Sequence, residues 1–328
     1  MHSQPGVSII MPIRNEERHL RRAVERVLSQ GYHGDLEVVL AVGPSEDRTQ
    51  LIADQLQREH TEVRVVDNPS GYTPAGLNIA IAESRFDILV RVDGHGELSP
   101  KYLETVVRLL EETGAANVGG RMDAQGETPF ERAVAAAYNS RMGLGGGGFH
   151  LGHTPAGPQD TVFLGAFRRD ALEAVGGFDE TMLRAQDWEL NHRLREAGYV
   201  VWYSPELHVV YRPRSTARAL AKQFWNTGKW RREVVRRYPE TVSARYVAPP
   251  VAVAGLAGGT VGGLIGLALG NKFLRALLLP VLLYGVFLAG ATITAKELSL
   301  GVRLRLPWVL AIMHVCWGAG FLRGVVSR

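Results

Sequence analysis

Two acidic clusters, far apart in the chain, hold the residue types that could do chemistry. The first is Asp93-Gly94-His95, which closes the apolar run 86–92. That run reads as a buried strand. Along a strand, residues i and i+2 point to one side, so the Asp93 carboxylate and the His95 imidazole are expected to share one divalent cation. In open α/β sheets, ligands bind outside the carboxyl ends of the strands, which is where this cluster falls. The second cluster is Gln186-Asp187-Trp188-Glu189-Leu190. Its carboxylates suit proton transfer or the capping of a helix.

Holding such side chains takes a sheet. Residues 7–12, 36–42 and 63–66 read as three strands, and the run into Asp93 as a fourth. Between them, 16–30, 48–60 and 75–84 read as helices; in the first, Leu20, Ala23, Val24, Val27 and Leu28 recur at helical spacing. Strand–helix alternation with short turns argues a mostly parallel sheet and right-handed crossovers. After Pro100 the pattern loosens. Residues 102–113 read as an amphipathic helix, 176–179 as a turn and 187–197 as a helix. The glycine-rich run 143–148 lacks the strand–Gly–helix context of a nucleotide fingerprint. It reads as an ordinary loop or as a mobile one beside a site.

The chain has 328 residues and a net charge of +4. Its mean hydropathy of −0.03 averages two unlike parts. Nearly all acidic residues precede residue 245, and from Val247 onward Ala, Gly, Leu and Val dominate. The positive excess is local: Arg212, Arg214, Arg218, Lys222, Lys229, Arg231, Arg232, Arg236 and Arg237 are opposed mainly by Glu233. A basic stretch just ahead of apolar segments reads as a cytoplasmic membrane-surface element. Nucleic-acid binding is set aside, because no nucleic-acid motif accompanies the stretch. Phe224, Trp225 and Trp230 are expected at the headgroup level of an interface helix, with its basic residues toward lipid phosphates.

Residues 247–269 and 273–295 are each long enough to span about 30 Å of hydrocarbon. Residues 306–322 are at the short limit, so two or three spans are expected. Lys296, Arg303 and Arg305 read as a basic loop on the inner side. Cys316 is the single cysteine, which excludes an internal disulfide and argues against Cys-based chemistry. The opening residues are polar and the next apolar run is short, so no secretory leader is read. The expected arrangement is multi-pass in the inner (cytoplasmic) membrane, with residues 1–212 a cytoplasmic catalytic domain, 213–245 a basic amphipathic interface region and 246–328 the membrane region. A metal-holding carboxylate, a later carboxylate and such a tail together suggest chemistry on a sugar nucleotide at a membrane.

Taken in order, several stretches resemble glycosyltransferase family 2, the inverting enzymes with a nucleotide-diphospho-sugar transferase (GT-A) fold. They are Val7-Ser8-Ile9-Ile10-Met11-Pro12 with Asn15-Glu16, Ser45-Glu46-Asp47-Arg48-Thr49, Asn78 on its helix, and Asp93-Gly94-His95. Within the family the chain looks like the succinoglycan-type transferases that extend a lipid-linked sugar. The supporting stretches are Asp160 to Arg169, Gly176-Gly177-Phe178-Asp179-Glu180, Gln186 to Arg195 and Tyr211-Arg212-Pro213-Arg214. The resemblance covers residues 6–250. It implies an α/β fold with a Rossmann-like mixed sheet, followed here by transmembrane helices.

The resemblance also implies roles. Asp93 and His95 would hold Mn²⁺ or Mg²⁺. His95 stands where the family usually has a second Asp, and imidazole suits Mn²⁺ better than Mg²⁺; a surface turn residue is the alternative for His95. His208 is a further ligand candidate, although Tyr211 occupies the family's His position. The general-base role falls on Asp187. Gln186 replaces the usual preceding Glu, so repulsion raises Asp187's pKa less. A base-and-ribose pocket is implied near Pro12, Arg14, Glu16 and Asp47, with Asn78 and Arg91 also on the donor side. Asp47 capping the next helix, and Arg14 or Arg91 forming structural ion pairs, are the alternatives. A uridine nucleotide is the default donor, and Gly43, standing where an Asp commonly meets the base, counts against it. Lys229-Trp230-Arg231 lacks the Gln-x-x-Arg-Trp signature of processive members.

The expected function is transfer of a sugar, glucose by the subgroup, from a nucleotide-diphospho-sugar to a polyprenyl-linked saccharide at the membrane, in cell-surface polysaccharide synthesis. No nucleic acid is expected as a partner. A polyprenyl-phosphate sugar synthase is one alternative. A non-catalytic nucleotide-binding scaffold of a polysaccharide export complex is the other.

Overall fold

The computed structural model describes residues 4–144, 148–150 and 154–325. In chain order the first elements are β1 (Val7–Ile13), α1 (Leu20–Leu28), β2 (Leu36–Val42), α2 (Thr49–Glu59), β3 (Val63–Asp67), α3 (Thr73–Glu83), β4 (Ile88–Arg91), β5 (Glu97–Leu98), α4 (Tyr102–Thr113) and β6 (Asn117–Ala124). Then come α5 (Pro129–Tyr138), α6 (Arg141–Leu144), β7 (Gly157–Pro158), β8 (Phe163–Arg168), α7 (Arg169–Ala174), α8 (Gln186–Glu196) and β9 (Val201–Tyr211). The tail holds α9 (Ala217–Arg237), α10 (Ala244–Ala268), α11 (Lys272–Arg275), α12 (Leu279–Thr294), α13 (Leu300–Arg303) and α14 (Leu306–Arg323). These pack as two compact units, Met1–Asp123 with Gly148–Tyr211, and Ala124–Gly147 with Arg212–Arg328.

In the first unit the strands form one mixed sheet in the order β3-β2-β1-β4-β8-β6-β9-β5, with β7 beside β9. The early strands are near-continuous apolar runs because both faces of the sheet are covered. Ile9, Met11, Val38, Leu40 and Val90 face α1, α2 and α4. Ile10, Val39, Ala41 and Leu89 face α3, α7 and α8. Burying such a side chain contributes about 1.5–3 kcal/mol relative to exposure.

β1 to β4 pair in parallel. The mixed character of the sheet enters beyond that point. β8 returns after a long excursion and slots antiparallel between β4 and β6. The alternation pattern of the first strands cannot show which neighbours a later segment will part.

The helix expected over 16–30 begins only at Leu20. The backbone N–H groups of Asn15, Glu16 and Glu17 bond instead to Ser45, Thr49 and Asp47. Asn15 takes a left-handed φ of 55°, which asparagine tolerates.

In the second unit, three helical runs are long and apolar enough to cross a membrane: Ala244–Ala268, Lys272–Thr294 and Leu300–Arg323. Val261, Leu264, Phe273, Leu282, Val286 and Ile293 point outward and exposed, a pattern suited to a lipid solvent rather than water. The third run is longer than expected because it starts at Leu300. Arg303, read as part of a basic loop, lies inside it, and Arg305 bonds Gly301's carbonyl at 2.6 Å.

α9 lies against α14. A Cβ on Gly228 would fall 2.0 Å from the Trp317 carbonyl oxygen, and one on Gly320 would fall 2.1 Å from that of Trp225. Glycine at both positions is therefore what lets the two backbones meet. Phe224 is accordingly not at a headgroup surface: it is buried with its ring 5.8 Å from that of Tyr138. Several basic residues of α9 are engaged within the protein. Arg231 stacks over Tyr246 at 4.1 Å, Arg232 bonds the Phe321 and Leu322 carbonyls, and Arg236 and Arg237 pair with Glu233. Of the glycine-rich run, residues 145–147 lie outside the described residues.

One polar cluster lies among the apolar helices. His314 on α14 bonds the Met142 carbonyl through Nε2 at 2.7 Å and meets the Tyr284 hydroxyl through Nδ1 at 3.0 Å. A carbonyl only accepts, so Nε2 carries the proton. Interhelical bonds of this kind contribute about 0.6–2 kcal/mol each. His314→Leu is expected to lower the thermal unfolding midpoint in detergent measurably, and Tyr284→Phe to lower it less. An unchanged midpoint for His314→Leu would show that the cluster holds nothing together.

Candidate functional site

β4 ends at Arg91, two residues before Asp93. Asp93 to Gly96 form a turn closed by the Gly96 N–H on the Asp93 carbonyl at 2.8 Å. The strand alternation expected to aim Asp93 and His95 to one side therefore does not extend to them; the turn sets their directions instead.

Arg91 is the residue that brings the two acidic clusters together. Its side chain is only 6% exposed. Nε and Nη2 reach Asp93 Oδ1 at 3.1 and 3.0 Å, and Nη1 bonds the Asp187 carboxylate. Burial alone would lower the guanidinium pKa, but the charges of Asp187 and Asp93 outweigh it and push it up. Arg91 is thus a fixed cation between two carboxylates, one 2 and the other 96 positions further along the chain.

Asp187 is the second residue of α8 rather than its cap. The cap position is Ala185, in the left-handed region at φ 61°, with no side-chain hydrogen bond. A β-carbon in that region stores strain, a common mark of functional sites. The Asp187 pKa is raised: removal from bulk water pushes it up, Arg91 opposes this, and Asp93 adds to it. Part of the side chain, 40%, remains open to solvent.

The helix carrying Asp187 is anchored by residues the sequence did not single out for that purpose. Glu189 is 1% exposed and pairs with Arg193 at 2.7 Å. Arg193 also donates to the Val175 and Gly177 carbonyls. Asn191 joins Asn117 and Thr161 at 2.6 and 2.9 Å. The i, i+4 spacing of Glu189 and Arg193 was the available signal.

Asn78 reaches the same region. Its side chain donates to the Phe178 carbonyl and Glu180, and accepts from the Phe178 N–H, all at 2.9–3.0 Å. Gly177 sits there at φ 70°, where glycine is favoured. Asn78 thus braces the turn leading into α8.

The loop after β1 and the loop after β2 interlock. Beside the bonds already described, Glu46 N–H meets Asn15 Oδ1 at 2.9 Å, and Asp47 Oδ1 accepts from the Thr49 N–H and hydroxyl at 3.0 and 2.5 Å. Loss of hydration is the largest single influence and raises the Asp47 carboxyl, but these bonds and that from Glu17 N–H together outweigh it and hold the carboxyl below its usual range. Asp47 therefore organises the loop and the start of α2. Pro12 is half-buried at the end of β1, and Arg14 is exposed beside Gly71. A side chain at Gly43 would strike the Gly71 Cα at 2.7 Å. That close approach is a physical reason for the departure noted at this position.

Glu16 accepts at 2.8 Å from His95 Nδ1. His208 lies on β9, where its carbonyl accepts from Ser99 N–H at 3.1 Å. Among the described residues, no three His, Cys, Asp or Glu side chains form a group able to hold a metal ion. Asp93 and His95, read as the cation's ligands, would offer carboxylate oxygen and imidazole nitrogen. Such a pair fits a cation whose remaining ligands are phosphate oxygens and water.

The glycosyl transferase family 2 model matches residues 8–176. The succinoglycan biosynthesis protein ExoA of Rhizobium meliloti (strain 1021) is 32% identical over 97% of this chain and 94% of its own length. A dolichyl N-acetyl-alpha-D-glucosaminyl phosphate 3-beta-D-2,3-diacetamido-2,3-dideoxy-beta-D-glucuronosyltransferase of Methanococcus voltae is 24% identical over 70% of this chain and 74% of its own. Among solved structures, the mannosyltransferase PcManGT from Pyrobaculum calidifontis, in complex with GDP-Man and Mn²⁺, superposes with a TM-score of 0.60 at 19% identity, covering 96% of this chain and 88% of that one. The last likeness is one of fold: the same GT-A type of mixed sheet.

Proposed function

The chain belongs to glycosyl transferase family 2, and from that premise we propose that it is a membrane-bound inverting transferase. It moves a sugar, glucose in the first instance, from a nucleotide-diphospho-sugar to a hydroxyl of a polyprenyl-linked saccharide. The reaction serves extracellular polysaccharide synthesis at the cytoplasmic face of the inner membrane. The observation that carries this reading is the Arg91 bridge, which gathers Asp93 and Asp187 at the carboxyl end of β4. The succinoglycan relative supports the pathway, and the Methanococcus voltae relative, named for a dolichyl-linked sugar, supports the acceptor class. The three apolar helical runs supply a means of meeting such an acceptor.

Asp187 accepts the proton of the acceptor hydroxyl as its oxygen attacks the anomeric carbon. The bond from that carbon to the donor's diphosphate breaks on the opposite face, and the nucleoside diphosphate leaves with the bonding pair. A base helps here because the attacking oxygen would otherwise become positively charged. Arg91 keeps Asp187 ionised and aimed. Asp93 and His95 would hold the divalent cation, and Mn²⁺ would suit their mixed donors. When bound, such a cation stabilises the departing diphosphate as a Lewis acid. Glu180 and Asn78 brace the turn before α8, so the base keeps its position as substrates exchange.

The test is transfer of label into lipid. Purified protein in bilayers, supplied with Mn²⁺ and a bacterial lipid extract, is given labelled UDP-, GDP- and dTDP-sugars in turn. Label is expected in the lipid fraction with one donor, and mild acid should release it as an oligosaccharide one sugar longer than that of the acceptor. Release of the labelled sugar as a monosaccharide would replace this acceptor with the bare polyprenyl phosphate. No label from any donor, in protein that binds nucleotide, would overturn the catalytic reading.

A further inference from the structure

We propose that Glu16 is the positioning residue of the cation site: its carboxylate accepts the Nδ1–H of His95 and so makes Nε2 the nitrogen that ligates the metal. This rests on the reading above, in which Asp93 and His95 hold the cation. The resemblance to the family implied a different post for Glu16, in the base-and-ribose pocket.

Three observations converge on the pairing. Glu16 Oε1 lies 2.8 Å from His95 Nδ1. A carboxylate at that distance only accepts, so Nδ1 carries the hydrogen and the lone pair of a neutral ring sits on Nε2. Next, Glu16 is held from behind. Its own N–H donates to the Thr49 hydroxyl at 2.7 Å, and Thr49 is fully buried and tied to Asp47. The carboxylate is thus presented from a fixed backbone rather than from a loose side chain.

Finally, the residue between the two ligands is shaped for Glu16. A Cβ on Gly94 would fall 2.9 Å from Glu16 Cγ, 3.0 Å from Ile13 Cδ1 and 3.4 Å from Glu16 Cβ. Glycine at the centre of Asp93-Gly94-His95 leaves the space that the Glu16 stem fills. Metal-bound histidines usually donate their other ring N–H to a carboxylate or carbonyl, which fixes the ring and raises its basicity. Glu16 does not act as a third ligand, in keeping with the absence of a three-donor cluster among the described residues.

The experiment measures Mn²⁺ itself, bound to the full-length protein in bilayers. Affinity is read from the free Mn²⁺ signal, and nitrogen coupling from pulsed paramagnetic resonance. Wild type is expected to show ¹⁴N coupling, which His95→Ala removes. Glu16→Ala is expected to weaken Mn²⁺ binding about 10- to 100-fold. Glu16→Gln retains an acceptor oxygen and should restore most of it. Gly94→Ala, which displaces the Glu16 stem without touching a ligand, should resemble Glu16→Ala. Circular dichroism and the unfolding midpoint establish that each variant is folded. Bound Mn²⁺ without nitrogen coupling in wild type would remove His95 from the site and this proposal with it. Nitrogen coupling in wild type, with affinity and coupling unchanged in both Glu16→Ala and Gly94→Ala, would overturn the role of Glu16 and leave the cation site standing.

Discussion

Asp187→Asn is expected to lower turnover by about a hundredfold to ten-thousandfold, the usual range for a lost general base, while donor affinity stays within a few fold. The asparagine keeps the size of the side chain and an oxygen for Arg91, so the bridge to β4 survives. What it loses is the ability to take a proton. Steady-state turnover and direct nucleotide-sugar binding, measured on the same preparation, separate the two effects. Equal turnover in wild type and variant would remove Asp187 from the base role.

The direction of the Asp187 shift adds two checks. Its carboxyl is raised above the ordinary aspartate value by removal from bulk water, with Arg91 opposing and Asp93 assisting. Because the base acts ionised, the acid limb of turnover should lie above the ordinary aspartate value of about 4. For stability, a carboxyl whose folded pKa lies above its unfolded value disfavours the fold once pH passes the unfolded value, and fully so above the folded one. Stability contributed by the neutral form is present at acid pH and lost on the way to neutrality. Asp187→Asn removes that loss, so its unfolding midpoint at neutral pH should equal or exceed that of wild type. The difference should vanish under acid.

Arg91→Leu is expected to have the largest effect on both the fold and the pH profile. The guanidinium is buried, and its two partners are 28% and 40% exposed. Breaking a fully buried pair costs about 3–5 kcal/mol. Here water can reach both abandoned carboxylates, so a loss of about 1–3 kcal/mol is expected. With Arg91 gone, only removal from water and repulsion by Asp93 act on Asp187, and both raise its pKa. The acid limb of turnover should therefore move to higher pH than in wild type. Arg91→Lys keeps the charge but not the planar fork that spans two carboxylates, so it should restore part of the profile and little of the stability. An acid limb that stays in place in Arg91→Leu would show that Arg91 does not act through Asp187.

Much of the fold is legible along the chain because its signals are local. The β2 and α4 boundaries, Leu36–Val42 and Tyr102–Thr113, coincide with the expected ones. Continuous apolar runs and helical spacing report burial on both faces and on one face respectively. The apolar tail is legible for the same reason, since length and composition alone decide which helices are long enough for a bilayer. The late start of α1 is not legible. It depends on Ser45, Asp47 and Thr49 taking the backbone N–H groups that a first turn would have used.

The sequence by itself determined the family, the parallel half of the sheet, the apolar tail and the identities of the two acidic clusters, because each is written in residue types at short spacing. Only the tertiary structure decided how those clusters work together. Arg91 read equally well as a phosphate contact or an ion pair, and Asp47 as a nucleotide contact or a cap. Such choices turn on which side chains the sheet brings within about 3 Å, the reach of a hydrogen bond. Sequence separation says nothing about that reach. The insertion of β8 beside β4, the bridge from Arg91 to Asp187 and the pairing of Glu16 with His95 all join segments that meet only when the chain has packed.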